Sequence, residues 1–203
     1  MFMAAETLTH LFHLLSRHPR SLRTLHAEVA QRLPNSSLPT SGDLTPANMP
    51  YLSGCVKETL RLFPTVPFNN RIALHDTILP RGGGPDGSTP MVVPAGSELS
   101  LPHYPLYRRH DIFGADADEF IPERWIQDPF GEGVRKLLSQ EDYERQCEGY
   151  LPFSIGKRAC PGRGIALETV RNTAVRVLQE FSDIQDAARG WTEEGEFWGD
   201  VAE

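Results

Sequence analysis

The chain has 203 residues, 39% hydrophobic and 23% charged, with a formal net charge of −7. That length suits one domain with its own core or part of a larger one, and the composition is that of an ordinary soluble globular protein. No basic stripe with interleaved aromatics is present, which argues against nucleic acid; the apolar runs are too short for a membrane anchor, and Met1 opens into a helix-like stretch rather than a secretory signal.

In chain order, Glu6–His18 carries Leu8, Leu11, Phe12 and Leu15 at helical spacing and stops at Pro19. His10, His13 and His18 fall on that helix as surface residues. A second helix is predicted from Leu22 to Leu33, a surface loop over 34–46, and a third helix from Pro50 to Phe63, ended by Pro64. The period then changes. Asn70–His75, Met91–Val93 and Glu98–Leu101 are short and strand-like, with turn signals between them. The run Gly82-Gly83-Gly84-Pro85-Asp86-Gly87 allows a phosphate loop or a tight hairpin, and the hairpin is favoured because no helix follows. Residues 110–150 are irregular and polar, with Pro122 and Pro129 preventing long helices. A last helix is predicted from Gly162 to Phe181, and the acidic tail Glu193–Glu203 has little to bury.

The three cysteines, Cys55, Cys147 and Cys160, have no paired spacing, which argues against a disulfide framework and against a zinc site. Cys55 and Cys147 are expected to be reduced intracellular thiols, since free cysteine is often simply buried. Cys160 sits in a different context, Phe153-Ser-Ile-Gly156-Lys-Arg158-Ala-Cys160-Pro-Gly162. The cysteine comes directly before an amphipathic helix, whose N-terminal amides and dipole favour a thiolate. Pro161 suits a first helical position, while Gly156 and Gly162 permit close approach and unusual backbone angles. Arg158 can offer a planar cationic fork to a carboxylate, and Phe153 can shield whatever the sulfur binds.

This loop resembles the cytochrome P450 signature Phe-x-x-Gly-x-Arg-x-Cys-x-Gly at every fixed position. The resemblance implies that Cys160 is the axial thiolate of a haem b iron and that Arg158 pairs with a haem propionate. In that family the thiolate pushes electron density that favours O–O cleavage. Two more segments extend the likeness. Glu58-Thr-Leu-Arg61 places an acid and a base on one helix face, and Pro122-Glu-Arg124-Trp125 follows at the family's interval. The resemblance implies a buried structural ion-pair group of Glu58, Arg61 and Arg124. It also implies a propionate contact for Arg71. Tyr107 stands where close relatives often have His. The stretches Leu79–Gly87, Tyr107–Gly114 and Phe130–Gly133 resemble fungal enzymes that hydroxylate alkanes and fatty acids, and the likeness covers most of residues 8–181.

The implied fold is mainly α with small β-sheets: the carboxyl-terminal portion of the cytochrome P450 fold, as a single partial domain. Its parts would be the end of a central helix (1–19), a helix pair and the Glu-x-x-Arg helix (20–63), a small β region (64–105), an irregular meander (106–150), the cysteine loop with its helix (151–182) and a loose tail (183–203). Family members are more than twice this length, so the chain is expected to be truncated. Counting back from Arg17-His18-Pro19, the family's oxygen-activating acid and alcohol would fall at Phe2 and Met3, neither of which relays a proton. Glu6-Thr7 offers an acid–alcohol pair about one helical turn too close to the helix end.

The implied reaction is insertion of one oxygen atom of O2 into a C–H bond of a lipophilic substrate, with NADPH electrons delivered by cytochrome P450 reductase. Activity of this chain alone is expected to be impaired. The implied location is the endoplasmic reticulum membrane for the full-length family, and soluble or cytoplasmic for this chain alone. Two other readings stay open: a non-catalytic haem-binding or unfolded remnant, and a redox-sensing thiol at Cys160.

Overall fold

The computed structural model describes residues 2–34, 37–126, 146–182 and 184. In chain order its elements are α1 (Phe2–Arg17), α2 (Pro19–Arg32), α3 (Pro50–Leu62), β1 (Phe68–Ile72), β2 (Thr77–Gly83), β3 (Thr89–Val93), β4 (Glu98–Pro102), α4 (His103–Leu106), α5 (His110–Phe113) and α6 (Arg163–Glu180). Helices with small antiparallel sheets are the expected class. The segments 130–133 and 185–203 lie outside the described residues. The chain divides into two compact units. The first takes the described residues up to Thr59, those from Phe120 to residue 126, and those from Pro161 onward; the second takes Leu60–Glu119 and the described residues that end at Cys160.

In the first unit α1, α2 and α6 pack against one another. Each presents apolar residues three or four apart: Leu11, Leu14 and Leu15 on α1, Leu22, Leu25 and Val29 on α2, Val170, Ala174 and Leu178 on α6, all buried. Burying each leucine contributes about 1.5–3 kcal/mol. The stripe on α1 is rotated from the expected one: Leu14 and Thr7 are buried, while Leu8 and Phe12 are half-buried. Pro19 separates α1 from α2 because the residue before proline avoids helical angles, and His18 sits at φ −122°, ψ 74°. His18 Nδ1 donates to the Leu14 carbonyl at 2.7 Å, and its ring stacks at a tilt on Phe120, 5.0 Å between centroids. It is therefore a helix-end residue, while His13 is exposed as expected.

Helix α3 is capped from outside. The Met49 carbonyl accepts the first helical bond, from Ser53 N–H, which leaves the amides of Tyr51 and Leu52 without helical partners, Pro50 having none to offer. The Glu28 carboxylate on α2 accepts both, at 2.7 and 2.8 Å. Burial nevertheless raises the Glu28 pKa above its ordinary 4.5, outweighing the two amides and Arg32, which lower it. The folded chain therefore binds this proton more tightly than the unfolded chain. That contribution to stability is fully present below pH 4.5 and is lost as pH rises through the folded value. Glu28→Gln, which keeps one acceptor and cannot ionise, is expected to gain on the wild type as pH rises through that window. Urea unfolding across the acid range measures the gap, and a gap moving the opposite way would contradict the assigned cause.

The second unit holds two two-stranded sheets. Strands β1 and β4 pair antiparallel from Phe68↔Pro102 to Ile72↔Glu98, and β2 and β3 from Thr77↔Val93 to Gly83↔Thr89 with a break in register after Leu79. β1 starts two residues before the expected strand, and β2 was not expected. The glycine run is a hairpin: Gly82, Gly84 and Gly87 take φ of 116°, 77° and 70°. Its Gly82 amide donates to the Gly87 carbonyl at 2.8 Å and its Ser88 amide to Asp86 at 3.1 Å, so those donors are engaged within the turn.

Candidate functional site

Glu58 lies on α3 one turn after Gly54, and both face the single turn of 3-10 helix Pro122–Trp125. A Cβ at Gly54 would meet the Pro122 carbonyl oxygen at 2.6 Å, so glycine is what lets this turn approach. The approach brings three donors to Glu58. Its Oε1 accepts from Arg124 Nε at 3.3 Å and from the Ile121 amide at 3.1 Å, and its Oε2 accepts from Trp125 Nε1 at 2.8 Å. The Glu58 and Arg124 side chains are 0% exposed. Buried charges are tolerated only when paired and hydrogen-bonded, and this pair is both. The Trp125 indole and the Ile121 amide went unnoticed in the sequence, although Trp125 stands in the motif that flags Arg124. Next to Gly54, Cys55 is wholly buried, as expected of a free cysteine, and burial pushes its thiol well up. Cys147 and Cys160 are exposed, and all three are free.

Arg61, three residues after Glu58, belongs to the second unit. Its guanidinium donates to the carbonyls of Tyr107 (2.8 Å), Ala117 and Glu119 (3.0 Å) and lies 5.2 Å from the Phe113 ring centroid. It is 0% exposed. Five donors in a rigid fork allow one side chain to hold three carbonyls of an irregular segment, which an ammonium matches poorly.

The cysteine loop lies in the same unit. Ser154 N–H donates to the Leu151 carbonyl at 3.0 Å, Cys160 N–H to the Phe153 carbonyl at 2.8 Å, and Ala159 N–H to the Gly156 carbonyl at 3.1 Å. Gly156–Arg158 form a 3-10 turn. Gly156 has φ 65°, and Ser154, at φ 58°, is the one non-glycine residue with positive φ among the described residues. Such angles cluster where a loop is held in a fixed shape for a task. Arg158 and Cys160 are exposed and Phe153 is half-buried. Arg71, on β1, is half-buried, donates to the Asn70 carbonyl at 2.9 Å and reaches Ser154 Oγ at 3.5 Å. Arg71 and the cysteine loop therefore meet. Gly162 is the non-helical residue before α6, and its carbonyl accepts the Ala166 amide at 2.9 Å.

A buried polar chain near the loop has no counterpart in the expected site residues. Tyr107, 0% exposed, shares a 3.0 Å hydrogen bond with His103 Nδ1, and its Oη accepts the Leu151 amide at 3.1 Å. His103 Nε2 lies 3.0 Å from Asn69 Nδ2. Burial, with Arg71 adding to it, lowers the His103 pKa, and burial raises that of Tyr107. Only the odd residue type at Tyr107 hinted at this.

The acid–alcohol candidates on α1 are separated by exposure. Glu6 is exposed, whereas Thr7 is buried and donates its hydroxyl to the Met3 carbonyl at 2.8 Å.

The sequence profile of the family described as cytochrome P450 matches residues 4–189. The chain belongs to the cytochrome P450 family. It is 41% identical over 185 residues to cytochrome P450 52-N1 of Starmerella bombicola, covering 90% of this chain and 33% of that protein. It is 41% identical over 192 residues to cytochrome P450 monooxygenase himC of Aspergillus japonicus, covering 94% and 31%. Cytochrome P450 52C1 of Candida tropicalis is 34% identical over 185 residues, covering 91% and 33%. The chain thus spans about a third of the length of the curated relatives it matches. Among the described residues no helix is long and apolar enough to cross a membrane.

P450 proteins hold haem, and the second unit's residues fit that group. Haem is an apolar disc with two carboxylates and an iron that takes a soft ligand. The unit offers an exposed thiol at Cys160 and guanidinium groups at Arg158 and Arg71, neither of which pairs with a carboxylate among the described residues. It also exposes Leu101, which pairs with Asn69 and so lies on the strand face that bears Arg71, and Ile155 of the cysteine loop.

Proposed function

We propose that this chain carries the haem-thiolate portion of a monooxygenase that inserts one oxygen atom of O2 into a C–H bond of a lipophilic substrate. The substrate class is alkane- or fatty-acid-like, on the likeness of Leu79–Gly87 and Tyr107–Gly114 to such fungal hydroxylases. The reaction consumes the substrate, O2, two electrons and two protons and gives the alcohol and water. NADPH supplies the electrons through cytochrome P450 reductase, and the complete protein is placed at the endoplasmic reticulum membrane. When bound, haem b supplies the oxygen activation that no side chain provides.

The exposed Cys160 thiol, on a loop closed by its own amide and in contact with Arg71, is the observation that carries this proposal. Cys160 would ligate the haem iron and Phe153 would shield the sulfur. Arg158 and Arg71 would hold the propionates as charge-assisted pairs. Gly156, with φ 65°, keeps the loop's turn free of strain, and Gly162 precedes α6. Glu58 and Arg61 hold backbone in place, at the Ile121 amide and at the carbonyls of Tyr107, Ala117 and Glu119, and Arg124 pairs with Glu58.

For the 203-residue polypeptide alone we infer little turnover. Thr7 gives its hydroxyl proton to its own helix and Glu6 faces solvent, so neither is set to relay a proton. The absorption spectrum of the reduced, CO-bound protein tests the site. A thiolate-type Soret band is expected in the wild type and its loss in Cys160→Ala. No haem uptake would favour a non-catalytic remnant, and a band that survives in Cys160→Ala would move the ligand elsewhere.

A further inference from the structure

We propose that the Tyr107 hydroxyl is a positioning group that sets the cysteine loop against the strand carrying Arg71. This rests on the haem-thiolate proposal for its functional meaning, but its geometry stands alone. The hydroxyl accepts the Leu151 amide at 3.1 Å. Leu151 in turn accepts the Ser154 amide at 3.0 Å, and Phe153, between them, accepts the Cys160 amide at 2.8 Å. The phenol is thus the first support of a short ladder that ends at the cysteine.

The support is itself held. The Tyr107 carbonyl is gripped by Arg61 at 2.8 Å, and its ring lies 5.7 Å from that of Tyr150, at a tilt. Its hydroxyl is tied through His103 to Asn69, at 3.0 Å for each step. Asn69 and Arg71 are two apart on β1, so they share a face of the strand. One chain of bonds therefore runs from the face that bears Arg71 to the loop that bears Cys160. Tyr107 is 0% exposed, so a bond lost with its hydroxyl is not readily replaced by one to water.

Tyr107→Phe removes the hydroxyl and keeps the ring. Amide hydrogen exchange of the whole chain, with or without haem, is the first measurement, and Tyr104→Phe at an exposed tyrosine is the control. The Leu151 amide is expected to exchange roughly five- to tenfold faster, as loss of one hydrogen bond implies, with the Cys160 amide following and the α2 amides unchanged. In haem-loaded protein, a smaller share of the CO complex should show the thiolate-type Soret band. Unchanged exchange at Leu151 and Cys160 would overturn the proposal. So would equal acceleration of the α2 amides, since that marks a general loss of stability. A wild type that takes up no haem would overturn the proposed function while the exchange data still decide the role of Tyr107.

Discussion

Arg124→Ala is expected to lower the thermal midpoint by on the order of 10 °C, from a loss of about 3–5 kcal/mol. The reason is asymmetric. Removing the guanidinium takes away a cation 3.3 Å from Glu58 but leaves that carboxylate 0% exposed, with water unable to replace what was lost. Distance alone would rank the contacts wrongly. The Arg109–Asp111 pair is closer, at 2.5 Å, yet its side chains are 55% and 62% exposed. Exposed pairs of that kind contribute about 0.2–1 kcal/mol. Asp111→Asn is therefore the control, and thermal unfolding followed by circular dichroism compares the two. Equal shifts in the two variants would mean that burial does not set the value of the Glu58–Arg124 pair.

Arg61→Leu should have a comparable effect, more local in character. Leucine keeps some bulk but donates nothing, so the buried carbonyls of Tyr107 and Ala117 lose their shared donor, and Glu119 loses one as well. Two buried acceptors left unmet cost about 2–6 kcal/mol together. The segment between them is held by short-range turns, with Phe113, Gly114, Ala117 and Glu119 donating to carbonyls three or four residues back. Turns of that kind exchange quickly once their anchor is gone. Amide exchange should therefore accelerate at these four residues in Arg61→Leu. Wild-type protection there would show that the turns stand without the arginine.

The helices were legible because their signals are local. Pro19 and Pro64 bound them, and apolar residues three or four apart repeat along α2 and α6. The hairpin at Gly82–Gly87 was legible for the same reason, since glycine and aspartate carry turn geometry in themselves. Strand β2 was not. Pro80 and the following glycines spoil its alternation, and its existence depends on pairing with β3 across a register break. The rotation of the α1 stripe was hidden too: which leucines are buried depends on α2 and α6, not on α1's own pattern. Within the site, the cysteine loop and the segments that carry Arg61 and Arg124 were readable as motifs, while Arg71 came only with the family resemblance. The Glu28 cap, the Trp125 indole on Glu58 and the Tyr107–His103 link join residues far apart in sequence. A single chain, read locally, gives no sign of which distant donor will meet which acceptor.

Gly54 has a bearing on any redesign of this protein. Replacing a mid-helix glycine by alanine is a standard stabilising move, worth about 1 kcal/mol through helix propensity. A propensity table would nominate position 54 on α3 for that change. The carbonyl of Pro122, 2.6 Å from where the new methyl would stand, reverses the sign. The methyl would push away the turn that delivers Arg124 and Trp125 to Glu58. An engineer choosing substitutions from sequence alone would thus pick, with good reason, one of the few helix positions where the usual improvement does harm.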